Sequence, residues 1–162
     1  MRGARRAIPV LYPASMRLVD ANQQAHLRLE ATLFRLLDTS TRGDMSSART
    51  ALATLRAQIT AHVAVEDAHT LPALEALGLG KLGRIVDGDH RVLHRSMDAV
   101  EALLAPLPDG EDGRAAVLRS IETLSKLKTV LEHHGVREQE DVYPRLDAEG
   151  PADWAPDLIP AE

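Results

Sequence analysis

Apolar residues recur along this chain at intervals of three and four. Leu29, Leu33, Leu36 and Leu37 form one such stripe, and Leu93, Met97, Val100, Leu103 and Leu104 form another. That spacing places each set on one buried face of a helix. Turn-forming segments interrupt the pattern at TRGD (41–44), GLGKLG (78–83) and PLPDGEDG (106–113). They leave helical stretches over roughly 14–39, 46–77, 84–105 and 112–148. No β-branched run bounded by turns suggests a strand. Long helices joined by short connections favour antiparallel neighbours, so the expected fold is all-α, an up-down-up-down antiparallel four-helix bundle over 14–148. Residues 1–13 read as an N-terminal extension. The tail at 149–162 holds three prolines, too many for a long helix. Its Trp154, Leu158 and Ile159 either fold back on the bundle or dock on a protein partner.

A repeat lies inside the pattern. A shift of 72 residues carries HVAVEDAHTLPALEALG onto HGVREQEDVYPRLDAEG. His62 falls on His134, Glu66 on Glu138, Pro72 on Pro144, Leu74 on Leu146 and Gly78 on Gly150. In each copy histidine and glutamate stand at i and i+4, stacked on one helix face. Each proline removes a backbone hydrogen bond and is expected to bend its helix. The third stretch adds His90 and His94, again at i and i+4, and the first adds a single His26 before its leucine stripe. In an up-down bundle, residues at equal height straddle their turn symmetrically. The midpoints of 26 and 62, of 66 and 92, and of 92 and 134 are 44, 79 and 113, each at a turn. Five histidines and two glutamates therefore meet in one layer.

Composition narrows the chemistry. Hydrophobic residues make up 44% of the chain, yet there are only one Phe, one Trp and two Tyr, so the core is aliphatic. A net charge of −5 argues against a nucleic-acid surface, and the cluster Arg2, Arg5, Arg6 reads as a solvated terminus. No run of 18 apolar residues suggests a membrane span, and AIPVLYPA is too short and proline-broken for a signal peptide. With no cysteine, disulfides and thiolate ligands are excluded. A cytoplasmic protein is expected.

Buried, unpaired carboxylates and imidazoles would each cost several kcal/mol in desolvation. A polar layer inside a bundle therefore calls for a multivalent cation, and a nitrogen-rich, sulfur-free set suits iron, zinc or manganese. Seven donors exceed the roughly four to six of a single ion. Two ions sharing the glutamates and a solvent-derived oxygen would leave one coordination position open for a small molecule.

These motifs resemble the hemerythrin and HHE cation-binding family over about residues 16–148. They comprise His26, His62-xxx-Glu66, His90-xxx-His94 and His134-xxx-Glu138, with the His-xxx-Glu segments running on to Pro72 and Pro144. The resemblance implies a non-haem di-iron centre with bridging carboxylates that binds O₂ or related small molecules. By position, His90, His94 and His134 would hold one iron, and His26 and His62 the other. The repeat selects His134, although His133-xxxx-Glu138 would restore the longer spacing of oxygen-carrying members. Sparse aromatic residues depart from the aromatic-walled O₂ pockets of the family. His69 could reach the pocket as a proton donor, Tyr143 is expected beside Pro144, and Asp67, Glu140 and Asp141 could hydrogen-bond ligand imidazoles or face water. Three functions follow: O₂ storage, delivery or sensing; an enzyme consuming hydrogen peroxide or nitric oxide; or a metal-dependent regulatory module.

Overall fold

A computed structural model describes residues 17–149, and among them every regular element is helical. The N-terminal extension and the tail with Trp154, Leu158 and Ile159 lie outside the described residues.

Helix α1 (Leu18–Arg42) ends where Gly43 takes a left-handed φ of 85°. The Gly43 and Asp44 N–H groups then close on Ser40 O and Thr39 O. Asp44 immediately caps α2 (Met45–Val65), its Oδ1 accepting from the Ser47 N–H at 2.9 Å. One four-residue turn thus stops a helix and starts the next. The second expected turn is shorter than GLGKLG. Helix α3 (Leu71–Ala76) breaks at Gly78, φ 74°, and α4 (Gly80–Leu104) has already begun at the next glycine. Gly83 is helical and lies against Leu74, where a Cβ would stand 3.8 Å from the leucine Cβ. The fourth expected helix is interrupted: Ser120 (φ −116°, ψ 25°) separates α5 (Glu111–Arg119) from α6 (Ile121–Arg137). Neither glycine nor proline marks that break, so the sequence pattern did not show it.

Both prolines act through the backbone ahead of them. Between α2 and α3 the chain forms a π-helical turn at Glu66–Thr70, and between α6 and α7 (Tyr143–Glu149) it forms another at Glu138–Val142. The Leu71 and Tyr143 N–H groups bond five residues back, to Glu66 O and Glu138 O. Pro72 and Pro144 lack an N–H, and in an α-helix their rings collide with the carbonyl four residues earlier. One extra residue in the turn relieves that collision without ending the helical run. The two π turns are offset by the same 72 residues as the sequence repeat.

α1 packs on α2, and α4 packs on α6. At one end, the Asp147 carboxylate of α7 accepts the Leu18 and Val19 N–H groups at 2.8 and 3.2 Å, satisfying two open donors of α1. At the other end, the Gly110 N–H donates to Gly43 O at 2.8 Å. Apolar side chains fall into two clusters. The larger includes Leu29, Leu33, Leu55, Ile59, Leu93, Met97, Leu127 and Leu131. The smaller holds Leu18, Val19, Ala73, Leu74, Val86, Val142, Tyr143 and Leu146.

Gly43 is constrained twice, because a Cβ there would also lie 2.6 Å from Gly110 O. Gly78 has the same kind of backbone but open space around it. Gly43→Ala is therefore expected to cost about 2 kcal/mol or more and Gly78→Ala about 1 kcal/mol, read from urea midpoints.

Candidate metal centre

Six polar side chains meet between the apolar clusters: His26 from α1, His62 from α2, Glu66 from the first π turn, His90 from α4, His134 from α6 and Glu138 from the second π turn. None is more than 7% exposed. Each residue follows from its helix face. His26 is in line with Leu29 and Leu33, His62 with Leu55 and Ile59, His90 with Leu93 and Met97, and His134 with Leu127 and Leu131. The glutamates stand at the first residue of each π turn, one helical turn after their histidine.

The arrangement is close to two-fold. His26 Nε2 lies 2.7 Å from Glu138 Oε2, and His90 Nε2 lies 3.0 Å from Glu66 Oε2. His62 Nε2 is 3.5 Å from Glu66 Oε2 and 3.6 Å from Glu138 Oε2. His134 Nε2 is 3.0 Å from Glu138 Oε1 and 3.7 Å from Glu66 Oε2. Two sets of four donors result, each with its ligand atoms within 4.8 Å of one another: His26, His62, His134, Glu138 and Glu66, His90, His134, Glu138.

The layer does not satisfy itself. His62 Nε2, both ring nitrogens of His134 and Glu138 Oε1 are buried without an aligned hydrogen-bond partner among the described residues. His134 Nε2 and Glu138 Oε1 are close, but they do not point at each other. Burial alone would push the His62 imidazolium down, but the Glu66 and Glu138 carboxylates outweigh it and raise its pKa from 6.5 to about 9. Burial opposes ionisation of Glu138 as well, and the surrounding imidazoles, His134 foremost, hold it well below the ordinary carboxylate value.

Further groups surround the layer, and of these the sequence reading had named Asp67 as a partner for a ligand imidazole. The Tyr143 hydroxyl donates to Glu66 Oε1 at 2.8 Å, and Thr70 Oγ1 stands 3.3 Å from the same phenol oxygen. Burial, then the nearby carboxylates, push the Tyr143 pKa well above 10, so it remains a neutral donor. The expectation that Tyr143 only packs beside Pro144 is thus incomplete. Asn22, one turn ahead of His26, donates through Nδ2 to Glu138 Oε2 at 3.3 Å. Its i, i+4 relation to His26 was the available signal. Asp67 Oδ1 lies 3.3 Å from His90 Nδ1, though not aligned as a hydrogen bond. Gly135 lies under His26, where a Cβ would stand 2.6 Å from Nδ1.

Other sequence candidates fall elsewhere. His94 is half-buried on α4 and belongs to neither four-donor set. His133 is exposed while His134 is in the layer. His69, Glu140 and Asp141 are exposed.

A family model, the hemerythrin HHE cation-binding domain, matches residues 17–146. The chain belongs to that cation-binding family. No curated protein and no solved structure matches it. The residues present fit a metal: buried nitrogen and oxygen donors without partners, converging from four helical runs, form a set that an ion satisfies and water-filled surface does not. Among the described residues no helix is long and apolar enough to cross a membrane.

Two outcomes are expected. In metal-free protein, His62 has a raised folded-state pKa, so its contribution is fully present below about pH 6.5 and is lost as pH rises through about 9. Glu138 has a lowered one, so its contribution is present above about 4.5 and is lost as pH falls through the folded value. Urea midpoints in chelator should thus decline on both sides of a plateau between these limits. Gly135→Ala reverses the usual sign. A helix-interior glycine ordinarily gains about 0.5–1 kcal/mol on becoming alanine, and here the His26 ring blocks it. A lower urea midpoint, with a shifted His26 imidazole ¹⁵N resonance, is the expected result.

Proposed function

We propose that this layer is a non-haem di-iron centre that binds O₂ for storage, delivery or sensing, inside an up-down four-helix bundle. The observation that carries the reading is the near two-fold set of four imidazoles and two carboxylates, sealed between two apolar clusters. The two four-donor sets overlap in His134 and Glu138, so one carboxylate, Glu138, is common to both, and the six donors together exceed what one set of four needs. The end-to-end ties of Asp147 to the start of α1, and of Gly110 to Gly43, support antiparallel neighbours.

The ligand roles go to His26, His62, Glu66, His90, His134 and Glu138; His94 is not needed to complete the layer. Iron, when bound, supplies a redox-active Lewis acid for a small molecule. The chain's own residues supply fixed donors and exclusion of water. Leu29, Val63 and Leu93 bound the layer on one side and Val86, Val142 and Tyr143 on the other. A surface groove between α1 and α6, lined by Gln23, Leu27, Gly135, Val136 and Gln139, reaches His26. A diatomic molecule can approach there, on the side expected to keep an open position.

Iron-loaded protein, reduced under anaerobic conditions, is expected to hold about two irons per chain and to develop an absorption band with O₂ that disappears on purging with inert gas. A lasting oxidised spectrum would replace this reading with one in which O₂, peroxide or nitric oxide is consumed. No response to O₂ would remove the O₂-binding reading.

A further inference from the structure

A groove lies close to the point where the described chain stops. It runs between the start of α4 on one side and the second π turn with α7 on the other, lined by Leu79, Lys81, Leu82, Ile85, Asp141 and Arg145. Leu79 and Leu82 are partly buried against the smaller apolar cluster, and Ile85, though apolar, is 42% exposed. Lys81 and Arg145 are exposed. The floor is thus apolar and continuous with the core, and the rim carries two cations to one acid. Arg145 stands four residues before Glu149, about 6 Å away by helical rise.

We infer that residues 150–162 turn back at Gly150 and dock in this groove, with Trp154, Leu158 and Ile159 on the leucines and Ile85, and Asp153 and Asp157 against Lys81 and Arg145. Three features select this occupant. Gly150 stands where the repeat sets Gly78, and Gly78 takes a left-handed φ of 74° where the chain passes from α3 into α4, which packs back on α3. The segment is acidic, with Asp153, Asp157 and Glu162 and neither lysine nor arginine, which complements the rim. Its prolines at 151, 156 and 160 favour an extended chain, and the five residues from Glu149 to Trp154 then span roughly 17 Å, enough to reach the groove. The other grooves suit it less. The one at His26 is rimmed by Glu30 and Glu132, which repel an acidic segment. The one between α2 and α4, lined by Arg49, Arg56 and Glu101, is too far: Glu101 stands about 24 Å along α4 from Ile85 by helical rise. An indole placed at the open edge of an apolar cluster removes apolar surface from water on both sides.

Trp154 is the only tryptophan, so the fluorescence of the full chain reads its surroundings alone. Measured with zinc(II), which does not quench indole, the full chain is expected to emit to the blue of a synthetic peptide of residues 150–162 and to resist quenching by acrylamide. Ile85→Glu removes the apolar contact, and Arg145→Glu reverses a rim charge. Each is expected to shift the emission toward that of the peptide and to lose the protection from acrylamide, while far-UV circular dichroism keeps its helical signal. Arg145→Glu decides the matter if Ile85→Glu loses that signal. Emission and quenching equal to the peptide's overturn the inference. Protection that neither substitution changes also overturns it, because the indole is then buried elsewhere. Protection that vanishes on dilution does so too, because the segment then docks on a second copy of the chain.

Discussion

Two carboxylates and four imidazoles are held between two apolar clusters, and much else in the molecule follows from that burial. Each such group, unpaired, would cost several kcal/mol, comparable to a large share of a small domain's net stability. The hydrogen bonds present offset only part of it, since His62, His134 and Glu138 retain buried atoms without partners. Without a cation, the layer reduces the deficit by pairing charges: His62 keeps its proton to a higher pH than usual, while Glu138 stays ionised among the imidazoles. Protons and metal ions therefore compete for the same atoms, and cation binding is in part folding free energy.

Burial of the layer demands that donors from separate helices stand at one height. The two ends of the bundle fix that height. Asp147 anchors the start of α1 to α7, and the Gly43–Gly110 contact joins the first and third connections. Within this frame the π turns do the fine placement. An extra residue rotates the chain relative to an α-helix, so it changes which residues beyond Glu66 and Glu138 face inward. Val142 and Tyr143 enter the smaller cluster after the second turn, and Ala73 and Leu74 after the first. Proline, usually a helix terminator, here marks where a helical run changes register and continues.

The helices and the layer were legible because both leave periodic marks. Leucine stripes gave the helical faces, and His62-xxx-Glu66 repeated as His134-xxx-Glu138 gave the height. TRGD was readable as a break, although α1 runs on to Arg42, past the expected end at 39, before Gly43 and Asp44 carry out the two capping roles their chemistry suits. The π turns were legible only as bends, because proline shows that an α-helical bond is missing and not how the backbone compensates. The break at Ser120 left no mark at all. His94 stands at i+4 from His90, the spacing of His62 to Glu66 and His134 to Glu138, yet it lies in neither donor set. Spacing fixes a helix face to within a fraction of a turn, and a fraction of a turn separates the layer from the flank.

Tyr143 was hardest to read for a related reason. Its partner, Glu66, is 77 residues away, and no local pattern links them. The link appears only when the two repeats are laid against each other in space, where a residue following the second glutamate reaches the first. A duplicated motif starts with two equivalent glutamates, and equivalence suits a layer whose only task is to hold charge. Tyr143 stands where the repeat sets Leu71, so its bond to Glu66 Oε1 distinguishes two glutamates that the repeat alone would leave equivalent, while the helices and the apolar clusters stay as the repeat sets them.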